Sequence, residues 1–393
     1  MKTKISVYFL ILFIFQASCD EENSDNNVNN ANNVNNVNNL NNVNNTNNVN
    51  NVNNQHCERI QPINNPTRLA VVLTDYTNGA VSEIDLTADP YTITNDVVLI
   101  HSDAIPRYFG DKFHALNRYL GDSLTLIDDE SWQVLDEIPF VSGSNPQDVH
   151  MVNTCKGYVS LYAENYLQII DVQGATSLGT LDLSAWGDED GSCEPAYLTS
   201  DASYLYVAIQ NLVDFAPTRN GRILKVDLTT DEVTGEIALN TENPFYPLTK
   251  VPQTDIFVVL TAADFSAKGA AIETFQSDDA TATVAITSEE LGGIPNQVVF
   301  TDNQCGYVLI STVTYETGIR EFCLDGTAGS WLIEPGVQEP VAITLINDEL
   351  FVADNSTQTP QIIIYDLVTQ EFTQTVLNTS LPISATKPFT KIP

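Results

Sequence analysis

The sequence predicts an all-β fold, a seven-bladed β-propeller, and three observations predict it. From Arg68 onward short apolar stretches alternate with polar turns, and no long segment keeps a 3.6-residue apolar period. A proline stands ahead of a short apolar strand at Pro106, Pro146, Pro195, Pro247, Pro295, Pro340 and Pro382. Strands end repeatedly on an apolar-Asp step followed by a turn, as at Ile84-Asp85, Ile127-Asp128, Ile170-Asp171, Val226-Asp227, Leu324-Asp325 and Tyr365-Asp366. Self-similarity at a spacing of roughly 40–50 residues marks a repeat architecture.

Each element has a physical reason. Proline has no N–H to give to a strand ladder, so it suits the opening of an inner strand. Aspartate accepts the loose backbone N–H groups of a tight turn, which places it between the third and fourth strands of a blade. The repeat after Pro195 shows the full set, with strands expected at Tyr197–Ser200, Tyr204–Gln210, Arg222–Leu228 and Glu232–Leu239. The six prolines from Pro106 to Pro340 each open a whole blade, while Pro382 opens a single strand. The segment Leu69–Leu99 supplies three strands, and with the last strand it makes one blade closed by both chain ends. Closure of that kind leaves no exposed sheet edge at the join. The repeat headed by Pro247 departs from the pattern, because Glu273-Thr274-Phe275 stands where the aspartate turn belongs. A pair of β-sandwiches is the structural alternative, but it leaves the spaced prolines without a reason.

These motifs resemble the YVTN/NHL-like class of seven-bladed propellers over residues 68–393, at the level of fold. The tetrapeptide that names the YVTN class is absent, as is the Trp-Asp of WD40 blades. The resemblance implies a working rim. It lies where each outer strand leads to the next inner strand, together with the loops joining second to third strands. The binding candidates on that rim are Asp103, Arg107, Glu164, Asp188, Asp190 and Glu194, among further acids at Asp75, Asp122, Glu189, Asp214, Asp264, Glu316 and Asp354.

The chain of 393 residues carries 16 Lys+Arg against 51 Asp+Glu. A formal charge of −35 opposes binding to nucleic acid and to anionic headgroups, and keeps a domain soluble and monomeric. Residues 1–18 read as a signal peptide: Lys2 and Lys4, then an apolar run from Val7 to Phe15 too short to span a bilayer. The run ends in Gln16-Ala17-Ser18-Cys19, which resembles a bacterial lipobox with Gln16 in place of its usual aliphatic residue. That resemblance implies acylation of Cys19 and a protein held in the cell envelope by its N-terminal lipid, in the outer membrane of a Gram-negative bacterium. The alternative is cleavage nearby and release. Residues 19–56 are expected to form a disordered spacer, since positions 26–54 repeat Asn-Asn-X, too polar to build a core. Stretched out, the repeat spans about 90–100 Å. The propeller takes residues 57–393.

Five cysteines follow Cys19, and a secreted chain oxidises those that geometry brings together. Cys305 and Cys323 lie symmetrically about Thr314, the midpoint of an expected hairpin, so they face each other and are expected to bond. Cys155 takes the place equivalent to Cys305, but its blade carries Ile169 where a partner would stand; Cys57–Cys155 is the pairing left open, with Cys193 over. No Cys-x-x-Cys spacing points to a metal.

No catalytic set emerges: there is neither a Gly-x-Ser-x-Gly elbow nor a P-loop. The acidic run Gly187–Glu194 could wrap Ca²⁺, although its spacing is not that of an EF-hand and a solvated loop is the simpler reading. His101 in a rim loop and His150 on a channel-lining strand are a candidate metal pair, weighed against ordinary structural histidines. Trp186, beside the acidic run, is a candidate ligand platform against core packing. The expected role is therefore a binding module for an unknown protein or small molecule, with no cofactor. The competing role is a lactonase- or dehydrogenase-like propeller enzyme with a metal in a central acidic pocket.

Overall fold

The computed structural model describes residues 57–60, 63–109, 112–266, 268–356 and 359–390. The expectations for the signal peptide, for Cys19 and for the Asn-rich segment lie outside the described residues. Seven four-stranded antiparallel sheets form the blades of a seven-bladed propeller. Blade 1 runs Ala104–Phe109, Lys112–Asn117, Ser123–Asp128 and Val134–Pro139, from the inner strand outward. Blade 2 runs Pro146–Met151, Gly157–Leu161, Tyr166–Asp171 and Thr176–Asp182. Blade 3 runs Pro195–Ser200, Tyr204–Ile209, Asn220–Asp227 and Glu232–Glu242, and blade 4 Thr249–Lys250, Phe257–Leu260, Ala271–Phe275 and Thr283–Thr287. Blade 5 is Ile294–Phe300, Cys305–Ser311, Thr317–Cys323 and Ala328–Ile333, and blade 6 Pro340–Ile346, Glu349–Asp354, Gln361–Asp366 and Glu371–Asn378.

Blade 7 is the join. Its inner strand, Ile383–Phe389, pairs with Arg68–Thr74, which continues outward to Gly79–Asp85 and Thr92–Ile100. All seven prolines stand at or beside the start of an inner strand. Pro146, Pro195 and Pro340 are first residues, while Pro106 is the third residue of its strand because pairing already begins at Ala104. The turn aspartates act as their type requires: Asp85, Asp128, Asp171, Asp227, Asp325 and Asp366 each accept a backbone N–H two or three residues on. In blade 4 the turn aspartate is displaced to Asp279, which accepts the N–H of Gln276 instead.

Packing lies between blades. Tyr206 of blade 3 meets Phe257 and Phe275 of blade 4 at centroid distances of 4.8 and 5.3 Å, all three buried. Trp132 of blade 1 and Phe389 of blade 7 stand edge to face at 5.8 Å. Such side chains each contribute about 1.5–3 kcal/mol by leaving water. The hydroxyls at this level are satisfied as well, Tyr206 by Asp201 and Tyr158 by Asp231.

Both expected disulfides are present, Cys305–Cys323 and Cys57–Cys155, and Cys193 is a buried free thiol. Cys305 and Cys323 are direct partners in the ladder of blade 5. Cys155 sits two residues ahead of its strand, not at its first residue, and Ile169 pairs with Tyr158. The bond to Cys57 is therefore made in the turn joining the inner and second strands of blade 2. Glu58 and Arg59 reinforce it through Thr154 and Asn153. Among the described residues no helix is long and apolar enough to cross a membrane.

Candidate functional site

Strand direction divides the ring into two ends. The outer-to-inner connections and the second-to-third-strand loops lie at one end, here called the loop face. The inner-to-second loops and the Asp turns lie at the other, together with Cys57. Seven exposed large apolar side chains lie outside strands among the described residues. Six of them, Leu120, Val141, Phe215, Val313, Tyr315 and Val337, are on the loop face, and only Val368 is at the opposite end. Isolated exposed apolar residues need no explanation, but a one-sided distribution does.

A repeated backbone feature accompanies them. Tyr76, Leu120, Phe215, Phe265 and Tyr315 each occupy a second-to-third-strand loop with φ between +61° and +66°. Glycine or asparagine would hold that left-handed conformation at little cost, whereas a bulky side chain costs roughly 1–2 kcal/mol. Five of the seven equivalent loops thus carry a large apolar residue where the backbone disfavours one. Phe215 stacks on Tyr162 with an interplanar angle of 11°, and Phe265 meets Phe245 edge to face. Exposed acids surround these groups: Asp75, Glu189, Asp190, Asp214, Asp264, Glu316, Glu334 and Glu339.

The candidate residues from the sequence divide by role. Asp103 is paired with Arg118 at 2.5 Å. Glu164 lies in the second-to-third-strand loop of blade 2. Asp188 accepts the N–H of Asp190 and the hydroxyl of Thr218, and Asp190 accepts the N–H of Ser192. Glu194 is buried and accepts the N–H of Leu212, and burial holds its carboxyl above the usual range. The acidic run therefore spends its carboxylates on donors of its own and of the second-to-third-strand loop of blade 3. Asp122 and Asp354 are likewise buried and turned onto local hydrogen bonds. Trp186 packs, half-buried, against the core between blades 2 and 3.

Arg107 is not on the rim. The two residues that blade 1 pairs ahead of Pro106 carry Arg107 into the middle of an inner strand, where it meets Asp148 of blade 2 through Nε and Nη2, both at 2.7 Å. Asp148 is buried, and it also accepts the backbone N–H groups of Val149 and Leu198. His150, two residues further along, shares a hydrogen bond of 2.8 Å with Ser200 of blade 3. Burial lowers His150 to about 4; Asp148 opposes the shift, and Arg107 and Lys387 add to it. Sequence reasoning missed Asp148 and Lys387. It also missed the aromatic loop tips, although the Asp-aromatic steps at Asp75-Tyr76, Asp214-Phe215 and Asp264-Phe265 were a usable signal. His101 is in a loop accepting the N–H of Asp103, apart from the His150–Ser200 bond. Among the described residues no three His, Cys, Asp or Glu side chains gather as metal ligands. A cavity of about 370 Å³ lies at the end opposite the loop face, lined by Phe109, Lys112, Met151 and Thr154 of blades 1 and 2.

The depressed pKa of His150 has a consequence for stability. Between about pH 4 and 6.5 the unfolded chain binds a proton at this site that the folded chain does not, so stability rises with pH through that window. His150→Asn should flatten the rise, by on the order of 2 kcal/mol. Urea midpoints at pH 4.5 and 7 for both proteins check this; equal slopes would show that His150 titrates normally.

Fold and surface together define a seven-bladed propeller with a loop-borne apolar and acidic face. No family model matches the chain, and no curated protein matches it. Solved structures do. A "putative 6-phosphogluconolactonase" from Bacteroides uniformis aligns with TM-score 0.58 at 16% identity, over 82% of this chain and 99% of the other. The dihydro-heme d1 dehydrogenase NirN aligns with TM-score 0.53 at 13% identity, over 84% of this chain and 77% of the other. A functionally unknown protein from Desulfotomaculum acetoxidans gives 0.53 at 15%, over 83% and 100%. At such identities the likeness is one of fold.

Proposed function

We propose that this chain is a non-enzymatic binding module of the cell envelope, whose loop face takes a partner rich in basic and apolar side chains. The observation that carries the reading is the gathering of exposed apolar side chains on one face, five of its loop tips holding a bulky residue in left-handed backbone. Strain persists where surrounding structure over-determines it, and it concentrates at functional positions. The acids around the tips supply the charge complement that chooses a basic partner. Cys57, where the domain's described chain begins, is at the end opposite the loop face. Acylation of Cys19 would provide the anchor, and incorporation of labelled palmitate that disappears in Cys19→Ser tests that half of the proposal.

The binding half is tested with a fluorescent Arg-Leu dodecapeptide, a Glu-Leu counterpart, and the variant Phe215→Ser/Phe265→Ser/Tyr315→Ser. Anisotropy should report salt-dependent binding of the basic peptide alone, weakened at least about tenfold in the variant. Undiminished binding by the variant would reduce the interaction to charge attraction by an acidic chain and overturn the reading. The enzyme alternative asks for an acidic metal pocket in the channel. Against it stands the commitment of Asp148 to Arg107 and to two backbone N–H groups.

A further inference from the structure

The central channel has a charge opposite to that of the molecule. Four consecutive inner strands, those of blades 7, 1, 2 and 3, bring Lys387, Arg107, Asp148 with His150, and Tyr197 to its wall. Asp148 is fully occupied by Arg107 and by the N–H groups of Val149 and Leu198. His150 is neutral at physiological pH and bonded to Ser200. That leaves Lys387. It makes no hydrogen bond or ion pair among the described residues, in a chain with 51 acids and 16 basic residues. Arg68, Arg107, Arg118, Lys156, Arg222 and Lys250 all have carboxylate partners. Tyr197, on the inner strand of blade 3, makes no side-chain hydrogen bond among the described residues, and Arg118 and Arg107 are the cations that act on it.

We propose that the central channel is a binding site for a small anion bearing a carboxylate or a phosphate-like group, held by the unpartnered ammonium of Lys387 beside the Arg107–Asp148 pair. The inner strands of blades 5 and 6 add no charge, and their polar groups are bonded: Gln297 to the backbone of Ile343, and Thr344 to Thr386 of blade 7. A cation confined without a counter-charge is costly, and an anion in the channel supplies that charge. Burial, with Arg107 adding and Asp148 opposing, lowers Lys387 to about 8. His150 is the other titratable group facing it, and it stays neutral above about pH 4. Affinity therefore falls as pH rises through 8, when Lys387 loses its proton. This site is independent of the loop-face reading, since neither needs the other.

Calorimetric titration of the full chain with sulfate and with acetate, neither of which titrates between pH 7 and 9, tests the proposal. One anion per chain should bind at pH 7, about tenfold more weakly at pH 9. Lys387→Met should weaken binding at least tenfold, and Lys387→Arg should retain it and lose the fall at pH 9. Lys387→Met removes an unpaired charge, so its melting temperature should not drop, which separates lost binding from lost fold. Preference between sulfate and acetate assigns the group as phosphate-like or carboxylate. No binding of either at 10 mM, or equal binding by Lys387→Met, would overturn the proposal and leave a solvent-filled channel.

Discussion

A chain stopped at Pro382 is expected not to fold. It lacks only its last strand, but that strand, Ile383–Phe389, is the inner strand of blade 7 and the sole partner of Arg68–Thr74 on the channel side. Its pairing runs from Arg68 opposite Phe389 to Leu73 opposite Ile383. Phe389 is wholly buried against Tyr108 and Trp132, at 5.2 and 5.8 Å, and Tyr108 donates to the carbonyl of Thr390. Losing two buried side chains at about 1.5–3 kcal/mol each, and a ladder of hydrogen bonds at about 1 kcal/mol each, approaches the whole stability of a typical domain. The truncated chain should be insoluble or lack a cooperative melt, and the missing segment supplied as a separate peptide should restore some folded protein. A truncated chain that melts cooperatively near the full-length temperature would show that closure is dispensable.

The second large effect is expected at Glu273, a wholly buried carboxylate in the third strand of blade 4. It accepts the backbone N–H groups of Asn240 and Thr241, the Asn240 amide and the Thr241 hydroxyl, at 2.5 to 3.1 Å. Those donors belong to the outer strand of blade 3, so this one side chain ties two blades together. Glu273→Ala leaves the donors buried without an acceptor and should cost about 3–5 kcal/mol. Glu273→Gln turns an amide N–H₂ toward other donors and should cost about 2–3 kcal/mol. Urea denaturation measures both; a loss under 1 kcal/mol for the alanine variant would mean that water replaces the carboxylate.

Glu273 also shows where the sequence was legible and where it was not. The break in the aspartate pattern was visible, but its reason was not, because the carboxylate serves a neighbouring blade 33 residues away in sequence. Blade number and closure could be read because proline at strand starts and aspartate in turns are local requirements, met inside a few residues. Both disulfides could be read for a similar reason, one from hairpin symmetry and the other from what remained. The bonding of the rim acids was not legible, since Asp188, Asp190 and Glu194 take up donors of their own run and of the neighbouring loop of blade 3, and such bonds do not show in composition. The two residues paired ahead of Pro106 moved Arg107 from the rim into the channel. Lys387 drew no attention because its isolation depends on which inner strands become neighbours when the ring closes. The left-handed loop tips were hidden because aromatic residues rarely take that conformation.

The proposed function has the ring work by binding at its loop face and not through a channel metal. Thermal melting of purified, metal-analysed protein with and without chelator tests it most directly. The account predicts less than 0.1 equivalent of metal, on the order of background, and melting temperatures that agree to within about 1 °C, since a ligand that binds only the folded state would raise them. One tightly held metal per chain, with a melting temperature lowered by several degrees on chelation, would contradict it.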